Sequence, residues 1–76
     1  MALKEEIRRN RKRLNMRQAD LAVSLGVGIA SIKRWELGCC EPSIKTLTNM
    51  SRLFGITETE LLHSREEENE GSKNVL

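Results

Sequence analysis

The 76-residue chain has no tyrosine, one tryptophan, one phenylalanine and one proline. An apolar fraction of 38% with 3% aromatic suits a small helical bundle built from Leu, Ile and Met, and the scarcity of β-branched runs argues against sheets. The only cysteines, Cys39 and Cys40, are adjacent, where a mutual disulfide would be strained. With one histidine and no CxxC spacing they are too few for a closed zinc site, so reduced thiols in a cytoplasm are expected, with no metal and no cofactor. No apolar run approaches the roughly 18 residues of a membrane span, and no signal-peptide pattern opens the chain. There is no internal repeat, Walker loop or GxSxG element, and no Ser, His and Asp set that could serve catalysis. An enzyme is not expected.

What is present fits one small domain, about 60 ordered residues followed by a tail. The net charge of +2 hides an asymmetry: residues 1–62 hold 11 basic and 7 acidic side chains, whereas 63–76 hold 2 basic and 4 acidic. The domain is therefore the basic part, which favours a polyanionic partner. The stretch HSREEENEGSKNVL is almost free of apolar side chains before Val75 and Leu76, so a disordered acidic tail is expected over 63–76.

The organising stretch is QADLAVSLGVGIASIKRWELG, from Gln18 to Gly38. Leu21, Ala22 and Leu25 share a helical face, Gly26-Val27-Gly28 interrupt it, and Ile32 and Trp35 restart it at i, i+3 spacing. Two short helices around a glycine-bounded turn make a helix-turn-helix pattern. On the second of them Ala30, Lys33, Arg34 and Leu37 form one stripe, while Ile32, Trp35 and Glu36 point the other way. The outward stripe suits a DNA major groove: arginine's fork matches guanine O6 and N7, and Ala30 could touch a thymine methyl. A solvated Lys-Arg pair is the alternative reading.

The flanking segments complete an all-α chain of five helices. Leu3, Ile7 and Leu14 define a first helix whose Arg11 leans inward, and the inward Glu36 is the carboxylate placed by phase to pair with it. Arg8, Arg9, Lys12 and Arg13 read as a solvated face. Asn15 is a left-handed stop, and the second helix begins near Arg17 or Gln18, where first-turn amides favour a phosphate. Gln18 is otherwise a plain surface glutamine. Gly28 is the expected N-cap of the third helix, Gly38 its left-handed end, and Pro42 closes a short surface loop over 39–42. Ile44, Leu47, Met50 and Phe54 give a fourth helix that ends at Gly55. Thr57 with Glu60 offers a capping box, and Ile56 with Leu61 a staple, for a short fifth.

The ordered set Arg11, Gln18 with Leu21-Ala22, Gly26-Val27, SIKRWELG, Pro42-Ser43 and LFGITETELL resembles the phage-repressor and Cro type of helix-turn-helix, the XRE family. The resemblance spans about residues 4–62. It implies a five-helix, lambda-repressor-like domain whose third helix lies in the major groove, with positions 29, 30, 33 and 34 nearest the bases. It also implies phosphate held at the start of the second helix, an Arg11–Glu36 pair, and a homodimer on a palindromic double-stranded operator. The expected base contacts are Ile29, Ala30, Ser31, Lys33 and Arg34, and the expected phosphate contacts are Arg17, Gln18, Ser43 and Lys45.

Three segments depart from the family pattern. Arg17 stands where a Thr or Ser cap is usual, and Ile29 and Ala30 stand where polar base readers are common. The loop after the third helix is Cys39-Cys40-Glu41 rather than basic. The expected function is a sequence-specific DNA-binding transcriptional regulator, a repressor of its own or a neighbouring operon. Two rivals remain: an antitoxin of the same fold whose tail folds on a toxin, and an interaction module that has lost DNA binding.

Overall fold

Leu3, Glu6, Ile7 and Asn10 recur at i, i+3, i+4 and i+7, and that stripe is the buried face of the first helix, α1 (Leu3–Arg13). The computed structural model describes residues 2–64. It continues with α2 (Gln18–Leu25), α3 (Ile29–Leu37), α4 (Ile44–Phe54) and a fifth helix, α5, over 58–64, and holds no strand among the described residues. Each helix contributes to one core: Leu3 and Ile7 from α1, Leu21 and Ala22 from α2, Ile32 and Trp35 from α3, Leu47, Met50 and Phe54 from α4, and Leu61 from α5. Helix α3 packs against both α1 and α2, and α2 packs in turn against α4.

The helix ends follow from backbone chemistry. Asn15 adopts φ 57° after α1, and glycines in the left-handed region close α2, α3 and α4. The amides of Val27, Cys39 and Ile56 then reach back to the carbonyls of Ala22, Arg34 and Ser51 at 2.9–3.1 Å, satisfying acceptors that the helices leave open. Ser43 caps α4, its hydroxyl accepting from the Thr46 amide at 3.2 Å. Thr57 does the same for the Glu60 amide at the start of α5.

Arg17 supplies no side-chain cap to α2. The Asp20 carboxylate takes over part of that role by accepting from the Arg17 backbone amide at 2.8 Å, while the Arg17 guanidinium donates to the same carboxylate at 3.1 and 3.2 Å. The side-chain bond from Arg17 and then the backbone bond hold the Asp20 carboxyl below its ordinary value. A depressed carboxyl pKa means that this end of α2 is fully secured above the ordinary aspartate range and loosens as pH falls through the lower folded value. An NMR titration should therefore show Asp20 protonating below a model aspartate, with the Arg17 amide losing exchange protection over the same pH interval. Titration at the ordinary value would remove Asp20 from the cap.

Several expectations change on folding. Leu14 lies beyond the last turn of α1 as its C-cap and is 36% exposed, so Asn10 takes the inward place in the stripe. The basic face of α1 is not merely solvated. Arg8 donates to the Glu36 carbonyl at 3.1 Å, Arg13 to the Phe54 carbonyl at 2.6 Å, and Arg9 to the buried Glu6 carboxylate at 2.8 Å. Helix C-termini leave carbonyls unpaired, and long arginines on a neighbouring helix can reach them. Pro42, in the loop expected on the surface, is buried, which a residue with no amide hydrogen to satisfy tolerates well. Helix α5 runs two residues past Leu62, with Ser64 buried and its hydroxyl donating to the Glu60 carbonyl. The rest of the acidic tail expected over 63–76 lies outside the described residues.

Candidate nucleic-acid interface

Helix α3 is anchored along one side and bare along the other. Ile32, Trp35 and Glu36 are buried, whereas Ile29, Ala30, Lys33, Arg34 and Leu37 are exposed and Ser31 is half-buried. Gly28 begins the helix without a side-chain cap, which leaves first-turn amides open at its N-terminus. Gly38 ends it at φ 80°, and a Cβ built there would lie 3.1 Å from the Lys4 side chain. A left-handed alanine costs about 1–2 kcal/mol. Gly38→Ala should accordingly lower the urea midpoint by an amount equivalent to about 1 kcal/mol or slightly more, with the m-value unchanged. No shift in midpoint would mean that the turn after α3 relaxes freely.

The inner side of α3 is tied to α1 through one buried carboxylate. Arg11 pairs with Glu36 in a two-pronged arrangement, Nε to Oε2 at 2.7 Å and Nη2 to Oε1 at 3.0 Å, and its Nη1 donates to the Met16 carbonyl at 2.9 Å. Bonding to Glu36 holds the Arg11 guanidinium above its ordinary pKa. Gln18, the first residue of α2, adds its Nε2 to Glu36 Oε1 at 3.3 Å, and Arg8 Nε stands 3.9 Å from the same oxygen. Glu36 thus joins α1, α2 and α3 at a single point.

Around that point lies an open cleft lined by Arg8, Arg11, Lys12, Gln18, Lys33, Glu36 and Leu37. Four cations face one carboxylate there, so the cleft is electropositive. Of the residues expected at a DNA surface, Gln18 and Lys33 meet in this cleft beside the Arg11–Glu36 pair, and Ile29, Ala30 and Arg34 lie on α3. Arg17, Ser43 and Lys45 do not line it. The Arg17 guanidinium is engaged by Asp20, which raises its pKa through that bond, and the Ser43 hydroxyl both caps α4 and donates to Thr46 Oγ1 at 3.0 Å. Lys45 is exposed in the first turn of α4. Arg8 and Lys12 were not among the expected site residues, although Arg8, Arg11 and Lys12 share one face of α1 by i, i+3, i+4 spacing.

Comparison with known proteins follows the same outline. The chain matches the helix-turn-helix family over residues 7–61. It belongs to the phage-repressor, or XRE-type, helix-turn-helix family. Among solved structures it is similar to the P22 c2 repressor protein, crystallised in complex with synthetic operator 9T in the presence of Tl+. The similarity has a TM-score of 0.78 and 33% sequence identity, and covers 84% of this chain and 97% of the repressor chain. No curated protein sequence matches the chain. Membership in the XRE-type family makes this a DNA-binding transcription regulator in broad class. Among the described residues no helix is long and apolar enough to cross a membrane.

Proposed function

We propose that this XRE-type domain is a sequence-specific repressor that binds a palindromic operator as a homodimer, with α3 in the major groove. The observation that carries this reading is how the cations are used. Arg8, Arg9, Arg11, Arg13 and Arg17 all donate to groups within the fold, whereas the Lys33 and Arg34 side chains on exposed α3 make no hydrogen bond or ion pair among the described residues. Two unengaged cations on a helix whose other side is fixed support a reading in which they meet base edges and phosphates. Ile29 and Ala30 precede them and would supply apolar contact to thymine methyls, and half-buried Ser31 is the remaining polar side chain of that turn. Gln18 at the electropositive cleft, with Arg17, Ser43 and Lys45 outside it, would hold the backbone, and Lys33, expected at the bases, lines the cleft and is assigned to the backbone as well. Each of the last three exchanges or adds a bond to do so.

Selection of bound sequences from a random duplex pool by the full chain tests the reading. Enrichment of two inverted half-sites with centres about 10 base pairs apart is the expected result. A single enriched half-site would overturn the dimer, and no enrichment would overturn sequence-specific recognition.

A further inference from the structure

The loop between α3 and α4 presents two exposed thiols side by side, Cys39 and Cys40. It is held at both ends. The Cys39 amide donates to the Arg34 carbonyl at 2.9 Å, closing α3, while Pro42 is buried and Ser43 caps α4. Neither sulfur is in a disulfide. Neighbouring Cα atoms across a trans peptide stand about 3.8 Å apart, short of the roughly 4.4–6.8 Å that an ordinary disulfide spans. The pair is therefore better suited to sharing a third atom than to bonding directly. Zinc would need further protein ligands, and no group of three or more His, Cys, Asp or Glu side chains is gathered among the described residues. Soft thiolate ligands select a soft centre, and one that already carries a substituent requires only two of them.

We propose that Cys39 and Cys40 form a vicinal dithiol site for trivalent arsenicals. With an aryl arsine oxide the arsenic–oxygen bond breaks and two arsenic–sulfur bonds form. The oxygen leaves as water with both thiol protons, and arsenic stays trivalent, so neither oxidant nor reductant is consumed. The two thiols sit on adjacent residues of a loop fixed at both ends, so the second sulfur binds at the effective concentration that the first provides. The site begins two residues past the end of α3, directly after the turn made by Gly38. It does not depend on α3 binding DNA, since its readout is arsenic held by the chain.

The test treats the reduced full chain with one equivalent of phenylarsine oxide. One arsenic per chain, with both thiols lost to a thiol-specific dye, is expected, and dithiothreitol but not excess monothiol should release it. Cys39→Ser and Cys40→Ser change exposed side chains and should keep the parent circular dichroism spectrum. Each should lose retention against monothiol by about 10²–10⁴-fold, the range that bivalent attachment supplies. Two arsenicals per chain, one free thiol after one equivalent, or a single-cysteine variant that retains arsenic as the parent does would each overturn the site.

Discussion

Arg11→Met is expected to destabilise the fold by about 3–5 kcal/mol, because it leaves a buried carboxylate without its main partner. Only 12% of the Arg11 side chain and 5% of the Glu36 side chain are exposed, so water from the bordering cleft replaces the lost bonds only in part. The residual partners are weak substitutes: the Gln18 amide at 3.3 Å is neutral, and Arg8 Nε is 3.9 Å away on a side chain that is 48% exposed. Arg8 can swing closer, which should hold the loss toward the lower end of the range. Arg11→Met together with Glu36→Leu removes both charges and should recover much of the stability. Urea unfolding of the two single variants and the double variant closes the cycle. Additive losses would show that the two residues act independently.

This pair was legible in the sequence because both partners are side chains with a helical phase. Arg11 falls between Ile7 and Leu14, and Glu36 beside Ile32 and Trp35, so each could be turned inward by counting. The same counting placed the four glycine and asparagine stops, the turn between α2 and α3, and the bare outer stripe of α3. It failed where a partner has no side-chain signature. Arg8 and Arg13 bond to main-chain carbonyls at the ends of α3 and α4, which any sequence would present. Glu6 and Asn10 are buried at 6% and 2% exposure because they satisfy each other and two arginines of the same helix. Such a network is invisible to a rule that treats polar residues as outward. Ile44 failed in the opposite sense: it continues the apolar stripe of α4 but sits in the first turn beside the cap, where the core has ended, and is 52% exposed. The aspartate that replaces the missing cap on α2 could have been found, since Asp20 stands three residues after Arg17 at the carboxylate position of a capping box.

Arg34→Ala is expected to weaken binding to the selected operator by about 1–3 kcal/mol, roughly 5- to 150-fold, while binding to random duplex falls little. In the free domain the Arg34 side chain is exposed and makes no ion pair or hydrogen bond among the described residues. Its removal should leave thermal stability unchanged, so a loss of affinity can be assigned to the DNA contact. A bidentate arginine discriminates among bases, and its loss relaxes the preference at one position of each half-site. A phosphate contact would instead lower affinity for all duplexes alike and reduce the log-log salt slope by about 0.9 per subunit. Lys33→Ala provides the internal contrast, because Lys33 lines the electropositive cleft with Gln18 and Lys12, where the sugar-phosphate backbone is expected. It should reduce operator and random binding together and flatten the salt dependence. Measuring both variants by fluorescence anisotropy over a salt series separates the roles. If Arg34→Ala behaves like a phosphate variant, the reading register on α3 shifts to the first turn, and Ile29, Ala30 and Ser31 become the specificity positions.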